Sequence, residues 1–370
     1  MMRVLARWVL PLLAAVPVAV ASQEVTDQLD LPALMAEQAP EAALLDLVVV
    51  DDRLVAVGER GVVLTRDGEE AWLQRSVPLS ATLTAVDFND AGVGVAVGHD
   101  GVILRSPDRG ETWEKITDGR SLFRSVISAA EARYAGAQTA LASATDDTRE
   151  DLEFALEDEE FRRETAQQSL EYGPAWPLLD VAFSQAGVVW AVGAYGTLFR
   201  SADTGASWDL VSARIENAED LHLNAVLRTR GGDLVMAGEG GLLFHSSNGG
   251  ASFERFDSFD GLSLFGLVEM DTFLLAYGFG DSAQVSNDGG RTWDSIRFDD
   301  NHLLIGHIEL GPDRVGLLGG SGVMLEIGPE GVIEMSRPTG SREFLSGGVR
   351  LASGGLVFIS EAGIVAGEGS

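Results

Sequence analysis

The chain of 370 residues contains no cysteine and little basic charge. It has 26 Lys and Arg residues against 57 Asp and Glu residues, which gives a formal net charge of −31 at pH 7, and Lys115 is its single lysine. The absence of cysteine excludes disulfides, thiolate metal sites and a cysteine nucleophile. The excess of acidic groups repels nucleic acid and anionic lipid headgroups, so we expect neither as a partner.

Histidine is also scarce, and the five histidines do not form a metal-binding motif. The glycine-rich stretches GEGG and GGSG are typical of hairpin turns between strands, not of phosphate loops that lead into a helix. No Gly-x-Ser-x-Gly elbow with a plausible triad is present. The sequence therefore predicts no catalytic residue, no cofactor-binding residue and no metal ligand; whether a small ligand binds stays open.

Only one apolar run is long, and it lies at the beginning of the chain. Arg3 and Arg7 accompany the run WVLPLLAAVPVAV, and the small residues AVA stand before Ser22. This pattern predicts a signal peptide over residues 1–21, cleaved after Ala21, and a periplasmic mature protein without membrane insertion. A membrane anchor is the alternative interpretation, but the run is short and contains two prolines.

A short motif of the form Ser/Thr-x-Asp-x-Gly-x-Thr/Ser-aromatic recurs along the chain. Its copies begin about 40 residues apart, except for roughly 95 residues between the second and the third, and such a period indicates a propeller or solenoid. The key acidic or amide residue and the aromatic residue of each copy are Asp67 and Trp72, Asp108 and Trp113, Asp203 and Trp208, Asn248 and Phe253, and Asp288 and Trp293.

Each repeat contains short apolar runs separated by glycine and aspartate, which favours four antiparallel strands per unit. The second-strand motif occurs seven times, at Val55–Gly58, Val95–Gly98, Trp190–Gly193, Val235–Gly238, Leu274–Gly278, Val315–Gly319 and Leu356–Ser360. We therefore predict an all-β fold, a seven-bladed β-propeller over residues 22–370, with six or eight blades as the alternatives. The last blade lacks a fourth strand, and we expect residues 24–38 to supply it and close the ring.

The recurring motif fits a structural role better than a catalytic one. Its aspartate is expected to accept hydrogen bonds from turn amides, its glycine to permit the turn, and its aromatic ring to fill the gap between sheets. The copies resemble the Asp-box (BNR) repeats of sialidases and other propellers. The stretches AVGHDGVILRSPDRGETW and AVGAYGTLFRSADTGASW resemble the photosystem II stability/assembly factor family of propellers over roughly residues 40–370, apart from the insertion.

That resemblance implies a protein that assists the assembly of a membrane complex. For exported relatives in non-photosynthetic bacteria, it implies an association with exporters of the RND class. We therefore expect a non-catalytic platform for a membrane protein or transporter complex. The alternative is a carbohydrate-active enzyme, sialidase-like or another glycosidase, but the early Arg-Ile-Pro motif of sialidases is absent.

Two features predict where a partner binds. The turns after the second strands face the rim opposite the boxes, and their variable side chains form the expected interaction surface: Glu59, Arg60, His99, Asp100, Tyr195, Glu239, Phe279 and Asp281. An insertion over residues 120–177, between the second and third blades, has apolar residues at helical spacing and predicts a helical hairpin. The hairpin either packs on the disc or forms a docking arm.

Overall fold

The first strands of successive sheets contact one another around a ring. A computed structural model describes residues 27–171, 176–184, 187–257 and 261–367. In it, four sheets have four strands each, one has six strands and one has three. The predicted signal peptide, residues 1–21, lies outside the described residues.

The strand bounds follow from the apolar runs of each repeat. The first sheet contains β1 (Leu44–Val50), β2 (Arg53–Gly58), β3 (Val63–Asp67) and β4 (Leu73–Gln74). The second contains β5 (Leu83–Phe88), β6 (Gly94–Gly98), β7 (Ile103–Ser106) and β8 (Glu114–Thr117). The third contains β9 (Leu178–Phe183), β10 (Val189–Gly193), β11 (Leu198–Ser201) and β12 (Asp209–Leu210). The fourth contains β13 (Leu223–Arg228), β14 (Leu234–Gly238), β15 (Leu242–Ser246) and β16 (Glu254–Asp257).

The remaining strands form the last two sheets. The six-stranded sheet contains β17 (Leu264–Glu269), β18 (Leu274–Ser286), β19 (Asp294–Gly311), β20 (Arg314–Gly319), β21 (Met324–Gly328) and β22 (Gly331–Ser336). The three-stranded sheet contains β23 (Leu345–Arg350), β24 (Leu356–Ser360) and β25 (Gly363–Ala366). Neighbouring strands pair antiparallel throughout, as the short runs and tight turns require.

The sheets close into a ring. Strand β1 contacts β5, β5 contacts β9, β9 contacts β13, and β13 contacts β17. Strand β17 contacts β19, β19 contacts β23, and β23 contacts β1. The apolar side chains between adjacent sheets form the core, as where Val55 and Val57 of β2 pack with Leu83 and Leu104 of the second sheet. The predicted all-β propeller fold with several four-stranded sheets is therefore confirmed.

Two helices fill the predicted insertion between β8 and β9. Helix α1 runs from Gly119 to Ala142, and helix α2 from Arg149 to Glu171. The helices contact each other along their length, and Arg163 of α2 lies over the ring of Tyr134 of α1 at 4.1 Å. Neither described helix is both long and apolar enough to cross a membrane.

The N-terminal segment does not complete the last sheet in the way that the sequence predicts. Residues 27–38 contain no strand. Ala33 donates a hydrogen bond of 3.0 Å to the carbonyl of Val77, and Leu29 is buried in the core between the first two sheets. The prediction that this segment supplies the fourth strand of the last sheet is wrong for residues 27–38, because Leu29 and Ala33 pack into the core between the first two sheets. Residues 24–26 lie outside the described part of the chain.

Candidate functional site

Five sheets carry the same three-residue helical turn after the second strand of their repeat. These turns are Glu59–Gly61, His99–Gly101, Ala194–Gly196, Glu239–Gly241 and Gly320–Gly322. The middle residue has a positive φ in each turn, with Arg60, Asp100, Tyr195 and Ser321 between 52° and 59°. A non-glycine residue in this region costs about 1 kcal/mol or more, and such positions concentrate at functional sites.

The turn side chains differ in their contacts. Glu59 accepts a hydrogen bond of 3.3 Å from the backbone N–H of Ala43, while Arg60 and His99 are exposed. Asp100 accepts a hydrogen bond from the side-chain amide of Gln28, so the N-terminal segment covers part of this turn. Burial is the largest cause that raises the pKa of Asp100 above its usual value.

Phe279 and Asp281 are not in a separate turn, contrary to the prediction. Both lie within β18, which continues through them because Phe279 pairs with Leu303 of β19. Asp281 forms an ion pair of 3.1 Å with Arg297. The long pairing partner β19, which the sequence did not predict, keeps this segment extended.

A row of aromatic rings joins the helical hairpin to the rim. The ring of Phe123 on α1 lies 4.8 Å from the ring of Trp176, which lies 4.7 Å from that of Tyr195. The ring of Tyr195 in turn lies 5.0 Å from the imidazole of His222. The hairpin therefore packs on the disc through aromatic contacts, at the turn of the third sheet.

A cavity of about 900 Å³ lies between the hairpin and the rim. Its lining includes Phe154 and Phe161 of α2 and the segment from Ser212 to His222. Within that segment Asn217 receives a hydrogen bond from the N–H of Leu221 and donates one to its carbonyl, which holds the loop in place. A cavity of this size is within the range of ligand-binding sites.

Two of the predicted rim residues, Tyr195 and Glu239, line this cavity. The Oε2 atom of Glu239 lies 3.1 Å from Nδ1 of His222 and accepts a hydrogen bond of 3.2 Å from the backbone N–H of His222. The other predicted rim residues, Glu59, Arg60, His99, Asp100, Phe279 and Asp281, do not line it. The structure therefore concentrates the candidate site on one side of the rim.

Four side chains of this cavity are not among the predicted site residues: Phe154, Phe161, Trp176 and His222. The glycine and prolines of GPAWP, residues 173–177, predict only the end of a helix, and the sequence of α2 contains few apolar residues. Phe154 and Phe161 are seven residues apart and therefore lie on one face of the helix, a spacing that could have indicated an apolar binding surface.

The cavity lining is acidic. It contains the carboxylates of Asp158, Glu216, Glu219, Asp220 and Glu239, and the guanidinium groups of Arg133 and Arg162. Arg162 pairs with Asp158 at 3.0 Å and with Asp220 at 2.8 Å, and Arg133 pairs with Glu159 at 3.1 Å. Both guanidiniums are thus already engaged by carboxylates. Burial raises the pKa of Asp220, an effect that the nearby Arg162 opposes.

Three further carboxylates, which are not among the predicted site residues, lie on the innermost strands. Burial raises the pKa of Asp46 to about 6, that of Asp87 to about 7 and that of Asp180 to about 8. Each carboxylate accepts one hydrogen bond from the next residue and one from the adjacent innermost strand. Each stands in an otherwise apolar run, as in LLDLVVV and LLDVAF, and this position could have indicated a carboxylate enclosed by the fold.

These inner carboxylates connect sheets. Both oxygens of each are engaged by backbone N–H groups, which favours a structural role over acid–base catalysis. In the same interior, the hydroxyl of Tyr277 lies 2.9 Å from Nδ1 of His307, and burial lowers the pKa of His307 to about 4. Among the described residues no group of acidic or histidine side chains is arranged to hold a metal ion.

The repeated boxes form tight turns at the strand ends opposite the second-strand turns. In the third sheet, Asp203 accepts hydrogen bonds from the hydroxyl and the N–H of Ser207, at 2.7 Å and 2.8 Å. The indole N–H of Trp208 donates to the carbonyl of Gly205 at 3.1 Å. The same bonds recur around Asp108, Trp113, Asp288 and Trp293.

The first and fourth boxes depart from this pattern. Asp67 pairs with Arg53 at 2.7 Å and does not close a box turn, and Trp72 lies under the guanidinium of Arg66. In the fourth box, Asn248 replaces the aspartate and accepts a hydrogen bond of 3.1 Å from the backbone N–H of Ser252. Phe253 replaces the tryptophan, and its ring lies 5.8 Å from that of Trp190.

The comparisons with known proteins agree with this architecture. The sequence model of the family described as photosynthesis system II assembly factor YCF48 matches residues 161–262 of the 370. A comparison with curated proteins found no match. The resemblance to photosystem II assembly-factor-like propellers that the sequence predicts is confirmed.

Three solved structures illustrate the fold. The structure of YCF48 bound to D1 peptide is 16% identical, with 92% of this chain and 98% of that chain covered and a TM-score of 0.57. YCF48 from Cyanidioschyzon merolae is 14% identical, with 88% and 95% covered and a TM-score of 0.56. Virginiamycin B lyase from Staphylococcus aureus is 10% identical, with 88% and 94% covered and a TM-score of 0.63.

Proposed function

We propose that this protein is a non-catalytic interaction platform that assists the assembly or operation of a membrane protein complex, such as an exporter of the RND class. The observation that carries the proposal is the cavity between the helical hairpin and the rim, which is lined by the exposed aromatic side chains of α2 and by Tyr195 and Glu239. Exposed apolar side chains around a concave surface are typical of sites where proteins bind.

The family resemblance supports the same role. YCF48, to which this chain is similar in fold, is described as an assembly factor, and one of its structures contains a bound peptide. We infer that the present chain likewise binds a protein segment. The glycosidase alternative gains no support from the inner carboxylates, because backbone N–H groups occupy both oxygens of each.

We also infer that the ring has seven blades, with the six-stranded sheet formed by two of them. Strand β19 pairs with β18 through residues 294–303 and with β20 through residues 304–311. Its two halves thus serve as the outer strand of one blade and the inner strand of the next. An experimental structure that showed a different number of innermost strands around the ring would overturn this count.

We infer further that the protein works in the periplasm after cleavage at Ala21. The positively charged start and the apolar run of the first 21 residues support export. Fractionation of the source cell should recover the protein in the periplasmic fraction, with Ser22 as its N-terminal residue by mass spectrometry. Recovery of the full-length chain in the cytoplasm would contradict the proposal.

Affinity purification from the cell envelope tests the platform itself. Tagged full-length protein should recover a specific membrane protein, and a variant that lacks residues 121–176 should lose it if the hairpin makes the contact. The thermal unfolding of the deletion variant serves as the control for folding. Unchanged recovery would reject the hairpin as the contact, and failure of the full-length protein to recover any membrane protein would reject the platform.

A further inference from the structure

We infer that the cavity binds a partner segment in which an arginine or lysine side chain is flanked by apolar residues. The inference rests on the proposed platform function and specifies the chemistry of its partner. Three properties of the cavity support it: exposed aromatic side chains, an excess of carboxylates, and an aromatic wall beside a carboxylate.

The apolar contribution comes from both sides of the cavity. Phe154 and Phe161 of α2 are 75% and 69% exposed, and Tyr195 on the rim turn is 47% exposed. Phe154 and Phe161 are seven residues apart, so they lie on the same face of α2. Several exposed aromatic side chains around one cavity are unusual on a protein surface. Their burial under an apolar segment of a partner would be favourable, because it removes apolar surface from water.

The backbone holds Tyr195 in this position at an energetic cost. Its φ is 55°, whereas the corresponding turn of the fourth sheet has Gly240, with φ 65°. The hydroxyl of Thr197 donates a hydrogen bond of 2.6 Å to the carbonyl of Ala194, which stabilises the turn. Three of the other four turns also have a non-glycine residue at this position, so the positive φ is a property of the turn, and it fixes the place of the Tyr195 ring at the rim.

The net charge of the residues that line the cavity favours a positively charged partner segment. Five carboxylates line the cavity against two guanidiniums. Asp158 and Asp220 pair with Arg162, and Glu219 pairs with Arg255, whereas no arginine ion pair of Glu216 or Glu239 is seen among the described residues. The whole chain carries a formal net charge of −31, which attracts a cationic segment from a distance and repels an anionic one. Charge complementarity therefore favours a basic partner segment over an acidic one.

The position of the cation follows from the aromatic wall. The ring of Tyr195 lies between Trp176 and His222, and the carboxylate of Glu239 lies 3.1 Å from the imidazole. A guanidinium or ammonium group is attracted to the faces of tryptophan and tyrosine rings and to a nearby carboxylate at the same time. We therefore place the basic side chain of the partner against Tyr195 and Glu239, with its apolar neighbours against Phe154 and Phe161.

Peptide binding to the full-length protein tests the inference. The probes are three fluorescein-labelled peptides of equal length: one with arginine between leucine and phenylalanine, one with glutamate in place of arginine, and one with serine in place of the apolar residues. Fluorescence polarisation should show the first to bind about tenfold more tightly than either of the others, and its affinity should fall as salt is added.

Matched variants locate the site. Phe154→Ser combined with Phe161→Ser should weaken the first peptide about tenfold, while Ile333→Ser, which removes a side chain 55% exposed on β22, should leave its affinity unchanged. Tyr195→Asn removes the ring with a residue that tolerates the left-handed region, and should also weaken binding. Glu239→Gln should weaken the arginine peptide more than a peptide with neutral glutamine at the same place.

Several outcomes would overturn the inference. It fails if the arginine peptide does not bind, if the three peptides bind equally, or if Ile333→Ser weakens binding as much as the double variant does. It also fails if arginine amide alone competes as well as the peptide, since the ligand would then be a small cation. Recovery of a membrane protein that depends on the hairpin but is insensitive to Phe154→Ser with Phe161→Ser would reject the inference while leaving the platform intact.

Discussion

The carboxylate of Asp180 on β9 accepts a hydrogen bond of 2.8 Å from the backbone N–H of Val226 on β13, and so connects two neighbouring sheets at their innermost strands. Asp46 and Asp87 make the corresponding connections to Val86 and Phe183. Burial raises the pKa of all three carboxyl groups, to between about 6 and about 8. The burial of these carboxyl groups makes the stability of the ring depend on pH, an effect that their backbone hydrogen bonds oppose.

We predict that the protein loses stability as the pH rises from 5 to 8.5, because the three raised carboxyl pKa values outweigh the opposite contribution of His307, whose pKa burial lowers to about 4. A carboxyl group whose pKa is higher in the folded than in the unfolded chain stabilises the fold below its unfolded pKa, and this contribution is lost as the pH passes the folded value, here about 6 to about 8. The midpoint of thermal unfolding should therefore fall by several degrees over this interval. A midpoint that rises or stays level would contradict the prediction.

The variant Asp180→Asn separates charge from hydrogen bonding. Its amide cannot titrate, so the fall in midpoint between pH 5 and pH 8.5 should be smaller than in the parent protein. At pH 5 the variant should be less stable, because the amide nitrogen cannot accept the second backbone hydrogen bond. Asp209→Asn, at an exposed position of β12, is the control and should leave the pH dependence unchanged.

We predict that Gly250→Ala destabilises the fold more than Gly249→Ala does. Both glycines have positive φ, 77° and 68°, so each substitution brings backbone strain of about 1 kcal/mol. A Cβ at Gly250 would lie 2.1 Å from Cζ2 of Trp190 in the preceding sheet, whereas no atom lies within 4 Å of a Cβ at Gly249. The clash should add about 1–3 kcal/mol in urea unfolding; equal losses would contradict this packing of the box turn.

We predict that Asp203→Ala costs about 1 kcal/mol of unfolding free energy, since it removes hydrogen bonds from Ser201 and Ser207 at a solvent-exposed turn. Asp203→Asn should cost less, because Asn248 makes equivalent bonds in the fourth sheet. The hydrogen bond from the Ser207 hydroxyl is the largest cause that lowers the pKa of Asp203 to about 2. The stabilisation should therefore disappear as the pH falls from about 4 to 2.

Binding provides the second measurement on these box variants. The box turn lies at the end of β11, whereas the turn with Tyr195 lies at its beginning, so Asp203→Ala should bind the arginine peptide as the parent protein does. A loss of peptide binding by a variant that is still folded would show that the boxes take part in recognition, and would contradict their structural interpretation.

Local patterns in the sequence determined most of the architecture. The recurring Gly, Asp and aromatic residues predict the strands, the box turns and the turns after the second strands, because each depends on residues that are only a few positions apart. The helical spacing of Phe123 and Ala130 predicts α1 for the same reason. In the structure both residues are buried.

Contacts between distant segments were decided only by the tertiary structure. Leu29 packs between the first two sheets, Tyr195 meets Trp176 and His222 at one cavity, and Phe279 stays in a strand because β19 pairs with it. Asp180 accepts the N–H of Val226 because its sheet lies beside the next one. Periodicity shows which residues share a face of one element, but the surface that covers this face depends on the free energy of packing over the whole chain.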